Sequence, residues 1–476
     1  MALPLAGHGQ KQGNHWFFGN QAGLNFNPGA PVIETGGQTS TDLPAGSLQE
    51  GTASVSDSSG GLLFYSGGKT IWNRFHQPMP NGSNIMGGTS STQAALIVPK
   101  PGNDSLFYLF TSDEYQNNGA NGYRYTLVNM CLDNSKGDVV VSQKNIPLMG
   151  PSTEKLAACR DQPGTGYWVL GHQLFSNQFS AWHLTAGGIT NTVTSLTGAV
   201  HGTNLSATAL GQMKISPQGN KIALVANNFY PAYAELGNFN NATGVVSNIC
   251  HFNIDTNIAG SVVSGVEFSP NGSRLYVSAA GGPGIRIYQF DLQAGGGSCA
   301  AILGSQVLVA QALQAGVNNG LQLAPDNKIY SVFNSYYDLA CIAAPNQPGA
   351  NCAFNPVALP SLPYHYNLPS FVAGYNYFNT MAPCIGRVIG LVETGADKQG
   401  ISVFPNPVKD QLILELSSLK APGQRVSLRN MFGQTIYASV LSSPRLEIDM
   451  SSFEKGIYFL FIQDEDQQHI IKVVKD

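Results

Sequence analysis

The chain runs to 476 residues, enough for two or three domains with a large buried core. Charged side chains make up only 11% of it, against roughly 25% in an ordinary soluble protein, so neutral polar groups and turns carry its solubility. A net charge of −4 without any run of Lys or Arg excludes a nucleic-acid or anionic-membrane footprint. No apolar stretch approaches the ~20 residues of a membrane-spanning helix.

At the start, Met1–Gly9 holds neither a basic region nor an adequate apolar stretch, and reads as the remnant of a signal region or an early start. Trp16-Phe17-Phe18-Gly19 and Gly23-Leu24-Asn25-Phe26 then have strand composition with no inner strand before them. From there the chain repeats itself. Val266–Ser278, Met213–Val225 and Leu321–Val332 each read strand, tight turn, strand, with Pro setting φ and Gly or Asn accepting a positive φ. Weaker copies are Ala53–Tyr65, Leu96–Phe110 and Leu156–Leu170. Their inner strands begin near Gly51, Thr92, Glu154, Gly211, Gly265 and Gly320, a recurrence of about 40 to 60 residues that suits one four-stranded propeller blade. Phe371–Asn376 supplies a seventh inner strand whose partners come from the N-terminus, so both ends share a blade and no sheet edge stays open. The expected fold is all-β, a seven-bladed β-propeller over residues 14–390.

Acids, histidines, cysteines and aromatics in this body set its candidate chemistry. Glu154, Glu235 and Glu267 lie in or beside predicted strands, and His172 and His183 flank one predicted hairpin. A propeller hydrolase requires several of these five to converge. Asp57 and Asp326 sit at hairpin turns, where a carboxylate caps backbone N–H groups. No His or Cys spacing matches a metal site, and neither a catalytic residue nor a cofactor is assigned. Seven cysteines suggest disulfides if the chain folds in an oxidising compartment: Cys341 with Cys352 is the expected pair, with Cys250–Cys299 and Cys131–Cys159 as further pairings. Tyr336, Tyr337, Tyr364 and Tyr366 fall in connections around the last blades, where exposed rings can stack on a sugar face or anchor a protein. Trp16, Trp72, Trp168 and Trp182 lie inside strands and read as core.

A boundary follows. Of the 52 charged residues, 17 fall in the last 78 positions, and all seven cysteines lie upstream of them. Residues 391–398 form the linker and 399–476 a second domain. There Leu412, Leu414 and Leu416, then Leu446, Ile448 and Met450, alternate with outward residues, and Pro405-Asn406-Pro407, Ala421-Pro422-Gly423 and Phe432-Gly433 mark turns. A small Ig-like β-sandwich of about seven strands fits this pattern.

The order Val403-Phe404-Pro405-Asn406-Pro407, Leu428 to Gln434, Lys455-Gly456-Ile457-Tyr458-Phe459 and Ile471 to Asp476 resembles the type A C-terminal sorting domain of the type IX secretion system of Gram-negative bacteria. The resemblance makes Pro405, Asn406, Pro407, Gly433, Gly456, Tyr458 and Lys472 the sorting motif. It implies recognition by an outer-membrane translocon or shuttle, and removal of the tail by a sortase-like protease. The body is similar, over most of residues 14 to 390, to propeller regions of large type IX-exported surface proteins, on Glu50–Asp57, Gly61–Ser66, Ile71–Arg74 and Ser91–Lys100. Its hairpins also resemble WD40-like and lactonase-type propellers. These likenesses imply a secreted or cell-surface protein, reached through the periplasm, whose propeller is a binding platform for a surface glycan or protein. A propeller enzyme of lactonase-like or glycan-cleaving type, and a structural subunit of adhesion, gliding or secretion machinery, are the alternatives.

Overall fold

A computed structural model describes residues 10–41, 43, 49–202, 207–226, 233–254, 262–281, 284–312, 320–333, 335–365, 367–378, 401–416, 425–430, 434–463 and 468–476. The chain divides into two compact units, Met1–Cys384 and Ile385–Asp476.

The repeated hairpins of the first unit form as their turn chemistry dictates. In the sixth sheet, Gly272 takes φ 68° and closes a turn to the Ser269 carbonyl, while Asn271 Oδ1 accepts from the Ser273 N–H. Asn327 takes the equivalent positive φ, 62°, in the seventh. Six hairpins then open successive sheets: Ala53–Ser56 with Leu62–Ser66, Ala95–Pro99 with Leu106–Thr111, Ser152–Arg160 with Tyr167–Gln173, Met213–Ile215 with Lys221–Ala226, Val262–Phe268 with Arg274–Gly281, and Leu321–Leu323 with Ile329–Val332. The N-terminal strands His15–Phe18, Ala22–Asn25 and Val32–Glu34 form a further sheet. Among the described residues the unit therefore holds seven antiparallel meanders, numbered here one to seven in chain order.

The inner strands of these sheets are buried on both faces because each sheet packs on the next, whereas outer strands such as Val32–Glu34 and Phe354–Leu359 are half-buried or exposed. Phe17 meets Tyr65 at 4.6 Å between sheets one and two, and Phe64 meets Phe107 at 5.6 Å between two and three. Tyr123 with Trp182, and Phe252 with Phe290, fill the third and fifth seams. Trp168, Ile222 and Phe239 share a core between sheets four and five, and Tyr276, Ile287 and Leu339 share one between six and seven. Trp16 then packs on Tyr330 at 6.2 Å, bringing sheet seven back to sheet one. All four tryptophans are buried.

Three expectations are corrected. Phe371–Asn376 forms no ladder; it runs into a 3₁₀ turn at Ala373–Tyr375 in which Gly374 and Tyr375 both take positive φ, which an extended strand cannot accommodate. It still packs on the N-terminal strand, with Phe371 5.6 Å from Trp16. Cys341 and Cys352 are free, buried thiols. Cys341 interacts with Tyr330 of its own sheet and Cys352 with Tyr276 of the preceding one. Cys159 is also free, whereas Cys131 is disulfide-bonded, so these two are not paired. A cystine joins Cys250 to Cys299, tying the outer strand Val245–Asn253 of sheet five to the helix Cys299–Gly304 that follows the third strand of sheet six.

Among the described residues the second unit holds two antiparallel sheets. One contains Ile401–Phe404, Gln411–Leu416 and Arg445–Asp449; the other contains Thr435–Val440, Arg425–Asn430, Gly456–Gln463 and Gln468–Lys475. Leu412, Leu414 and Ile448 from the first share a core with Val426, Leu428, Leu460 and Val473 from the second. Among the described residues no helix is long and apolar enough to cross a membrane.

Candidate functional site

The innermost strands of the first unit converge on an axis, and polar side chains close it. Gln93, just ahead of the inner strand of sheet three, accepts from the Leu156 and Met213 amides at 3.2 and 2.7 Å, so one amide oxygen spans sheets four and five. Gln212, just ahead of the inner strand of sheet five, repeats the device with Val266 and Leu321 at 3.2 and 3.0 Å. Asn367 links the two, accepting from Gln212 and donating to the Thr92 carbonyl at 2.8 Å. Space is so short that a Cβ on Gly320 would stand 1.7 Å from Asn367 Oδ1. Small cavities remain, of about 20 Å³ beside Lys214, Glu267, Gln322 and Tyr375, and about 40 Å³ beside Glu50, Ser90, Thr92 and Gln116. Each has room for a water or two. Drug-sized ligands occupy pockets of roughly 300–1,000 Å³.

Acids on this axis are engaged with backbone. Glu154 accepts from Thr92 N and Oγ1 and from Tyr115 N, all at 2.8 Å; burial raises its carboxyl to about 7 against the pull of those bonds. Lys155, next in the strand, donates to the carbonyls of Thr208, Ala209 and Leu210, and burial brings its ammonium down to about 7, opposed by Glu154 and Glu235. Glu267 accepts from Phe268 and Leu323 N–H groups and lies 3.1 Å from Lys214 Nζ. Glu50 is pushed up to about 8, by burial first and the Glu154 charge second.

His172 and His183 do not meet. His183 stacks on Trp168 at 4.3 Å and contacts Asp161, while His172 lies buried against His201, 4.3 Å between ring centres. Glu235 belongs with this second group. It accepts from the Ala199 N–H at 2.6 Å and faces His201 Nε2 at 3.4 Å and His251 Nδ1 at 3.6 Å. Burial alone would raise its pKa, but His201, His251 and the Ala199 amide hold it down at about 2. Of the five candidate acids and histidines, His172 and Glu235 thus share His201, while His183 pairs with Asp161 and Glu267 with Lys214. His201 and His251 escaped the sequence reading because they come from the last strands of two different sheets, with no spacing to relate them. Among the described residues no three metal-ligating side chains form a cation-sized group.

The aromatic candidates do assemble. Tyr336 and Tyr364 stack at 4.8 Å with 21° between planes, and Tyr337 meets Tyr364 edge-on at 5.7 Å. Backbone bonds build the cluster: Leu362 N–H to the Tyr337 carbonyl, His365 N–H to that of Tyr336, and Asn20 N–H to that of Tyr364. The last clamps the loop onto the first turn of sheet one, where Gly19 has φ 53° and a Cβ would come 2.5 Å from His365 Cα. Tyr337 keeps 54% of its surface exposed. Burial and its two tyrosine neighbours raise the Tyr364 phenol pKa. Tyr366 lies outside the described residues.

In the second unit, Asn406 serves as a substitute strand. Its Nδ2 donates to the Lys472 carbonyl at 2.7 Å and its Oδ1 accepts from Val474 N–H at 2.8 Å. Val408 continues the contact through N–H to the Val474 carbonyl, and Asp476 N–H returns to Val408. Pro405 and Pro407, which lack N–H donors, bracket the asparagine. On its other edge the terminal strand pairs Lys472 with Phe459 and Lys475 with Gly456, while buried Tyr458 donates to the Glu454 carbonyl at 2.6 Å. Gly433 lies outside the described residues.

Residues 402–476 match the secretion system C-terminal sorting domain family. This sorting domain marks the chain for export to the cell surface by the type IX system and implies interaction with that machinery. No curated protein matches the chain. Similar solved structures include a protein from Lactobacillus plantarum, at TM-score 0.45 and 12% identity, covering 75% of this chain and 98% of that one. The periplasmic gluconolactonase PpgL of Pseudomonas aeruginosa is similar at TM-score 0.37 and 11% identity, covering 78% and 99%. PorZ of Porphyromonas gingivalis, described as an essential bacterial surface component of the type-IX secretion system, is similar at TM-score 0.34 and 12% identity; the match covers all of this chain and 61% of PorZ.

Proposed function

We propose that the first unit is a seven-bladed β-propeller that works at the cell surface as a binding platform, its ligand a surface glycan or protein taken at the tyrosine rim. The N-terminal strands and the 364–378 segment together close the last blade in this reading, supported by the Trp16–Phe371 and Asn20–Tyr364 contacts. The second unit, an Ig-like sandwich, addresses the outer-membrane translocon or shuttle and then the sortase. One contrast carries the binding reading over catalysis: the axis is stitched shut by Gln93, Gln212 and Asn367, while Tyr337 stands open beside two ordered rings. A preorganised aromatic surface loses little side-chain entropy on binding.

The test is a screen of the full chain against surface glycans and surface proteins, repeated with Tyr337→Ala. The variant should bind about tenfold or more weakly, as truncation of an aromatic anchor does. Equal binding by both proteins would remove the rim as the site.

A further inference from the structure

Lys214, Glu267 and Gln322 come from the inner strands of sheets five, six and seven, and all three are buried. Lys214 Nζ is hydrogen-bonded to Gln322 Oε1 and lies 3.1 Å from Glu267 Oε2. Neither partner is free to swing away. Glu267 is held at one oxygen by the Phe268 N–H, 2.9 Å, and at the other by the Leu323 N–H, 3.0 Å. Gln322 Nε2 donates to the Leu323 carbonyl at 2.8 Å, which fixes the amide with its oxygen toward the ammonium. Gln212, two residues before Lys214, binds the Val266 and Leu321 amides, each one residue from Glu267 or Gln322, so the three strands are locked in register. Amine, carboxylate and primary amide are thus confined together with little exposure to solvent, a setting in which proximity lowers a barrier.

We propose that Lys214 and Gln322 become joined by an intramolecular isopeptide bond, with Glu267 as general base. Glu267 takes one proton from the Lys214 ammonium, leaving a neutral amine whose lone pair adds to Gln322 Cδ. The carbonyl π pair moves to Oε1. As it returns, the Cδ–Nε2 bond breaks, a second Nζ proton passes to Nε2, and ammonia leaves carrying the proton held by Glu267. Overall, the Lys214 ammonium and the Gln322 primary amide become one secondary amide and a released ammonium ion, Glu267 ends as the carboxylate it began as, and no oxidant or co-reactant is needed. The cavity of about 20 Å³ lined by all three side chains gives the ammonia somewhere to go. The crosslink ties sheet five to sheet seven across the axis, and stands apart from the binding role of the rim.

Mass spectrometry of the full chain, denatured and reduced, decides the matter. The crosslinked protein is lighter than its sequence by about 17 Da, one ammonia, and its digest contains a branched peptide joining the segments around Lys214 and Gln322. Lys214→Arg, which keeps the charge without a transferable amine, and Glu267→Gln, which removes the base, should both restore the full mass. A wild-type mass equal to that of the sequence overturns the proposal. So does a deficit that persists in Lys214→Arg, which would assign the lost ammonia to another amide. Because the wild-type mass and branched peptide are decisive alone, a variant that fails to fold leaves the test intact.

Discussion

Glu50 and Glu235 are both carboxylates in largely buried settings, yet their neighbours drive them in opposite directions. Burial and the negative charge of Glu154 raise Glu50 from its ordinary 4.5 to about 8. Between those values the folded chain keeps a proton that the unfolded chain has lost, so this group's stabilisation is complete below pH 4.5 and fades as pH rises through 8. Glu235, held at about 2 by two histidines and an amide, does the reverse: its stabilisation is present above 4.5 and fades as pH falls toward 2. Glu50→Gln should therefore flatten the stability profile between pH 4.5 and 8 and leave the slope outside that window unchanged. Thermal melts from pH 4 to pH 9 check this, and an unaltered slope between pH 4.5 and 8 would contradict it.

Two elements depend on one contact each. Asn406 replaces a neighbouring strand for the end of the sorting domain, so Asn406→Ala removes two backbone partners, costing roughly 1–2 kcal/mol. Hydrogen exchange of the full chain should show faster exchange at Val474, whose N–H loses its acceptor, with little change in the first unit. The outer strand of sheet five and the helix Cys299–Gly304 are tied by the Cys250–Cys299 cystine, separated by 49 residues. Replacing both cysteines by serine should lower stability by roughly 2–5 kcal/mol. Reductant should then have little further effect on that seam, measured by proteolytic nicking between residues 245 and 305.

Trp16 links the two ends of the first unit, touching Phe26, Phe371 and Tyr330. Trp16→Ala should cost about 3–5 kcal/mol, as for a large buried aromatic. Its effect should spread: amides in His15–Phe18 and Ile329–Val332 should lose protection together, because one seam joins them. Trp72→Ala, confined to the cluster with Phe17 and Tyr65, should leave Ile329–Val332 protected. Loss of protection limited to the N-terminal strands would show that this seam does not hold the first unit together.

Hairpins and tail were legible in the residues themselves, since Pro–Asn–Gly turns and period-two alternation are local and need no distant partner. The six predicted hairpins coincide with the opening strands of sheets two to seven, and the sorting motif reads in linear order. What only the tertiary structure decided is everything that depends on side chains meeting across sheets. Gln93 and Gln212 carry no motif, yet they close the axis because inner strands converge there. Cys341 and Cys352 lie near each other along the chain but face different neighbours, while Cys250 finds Cys299 across a seam. Glu235 faces His251 on the neighbouring strand of its own sheet, but meets His201 only because the last strand of sheet four packs against sheet five. Backbone pattern is written residue by residue; proximity between strands exists only once the hydrophobic seams have brought the sheets face to face.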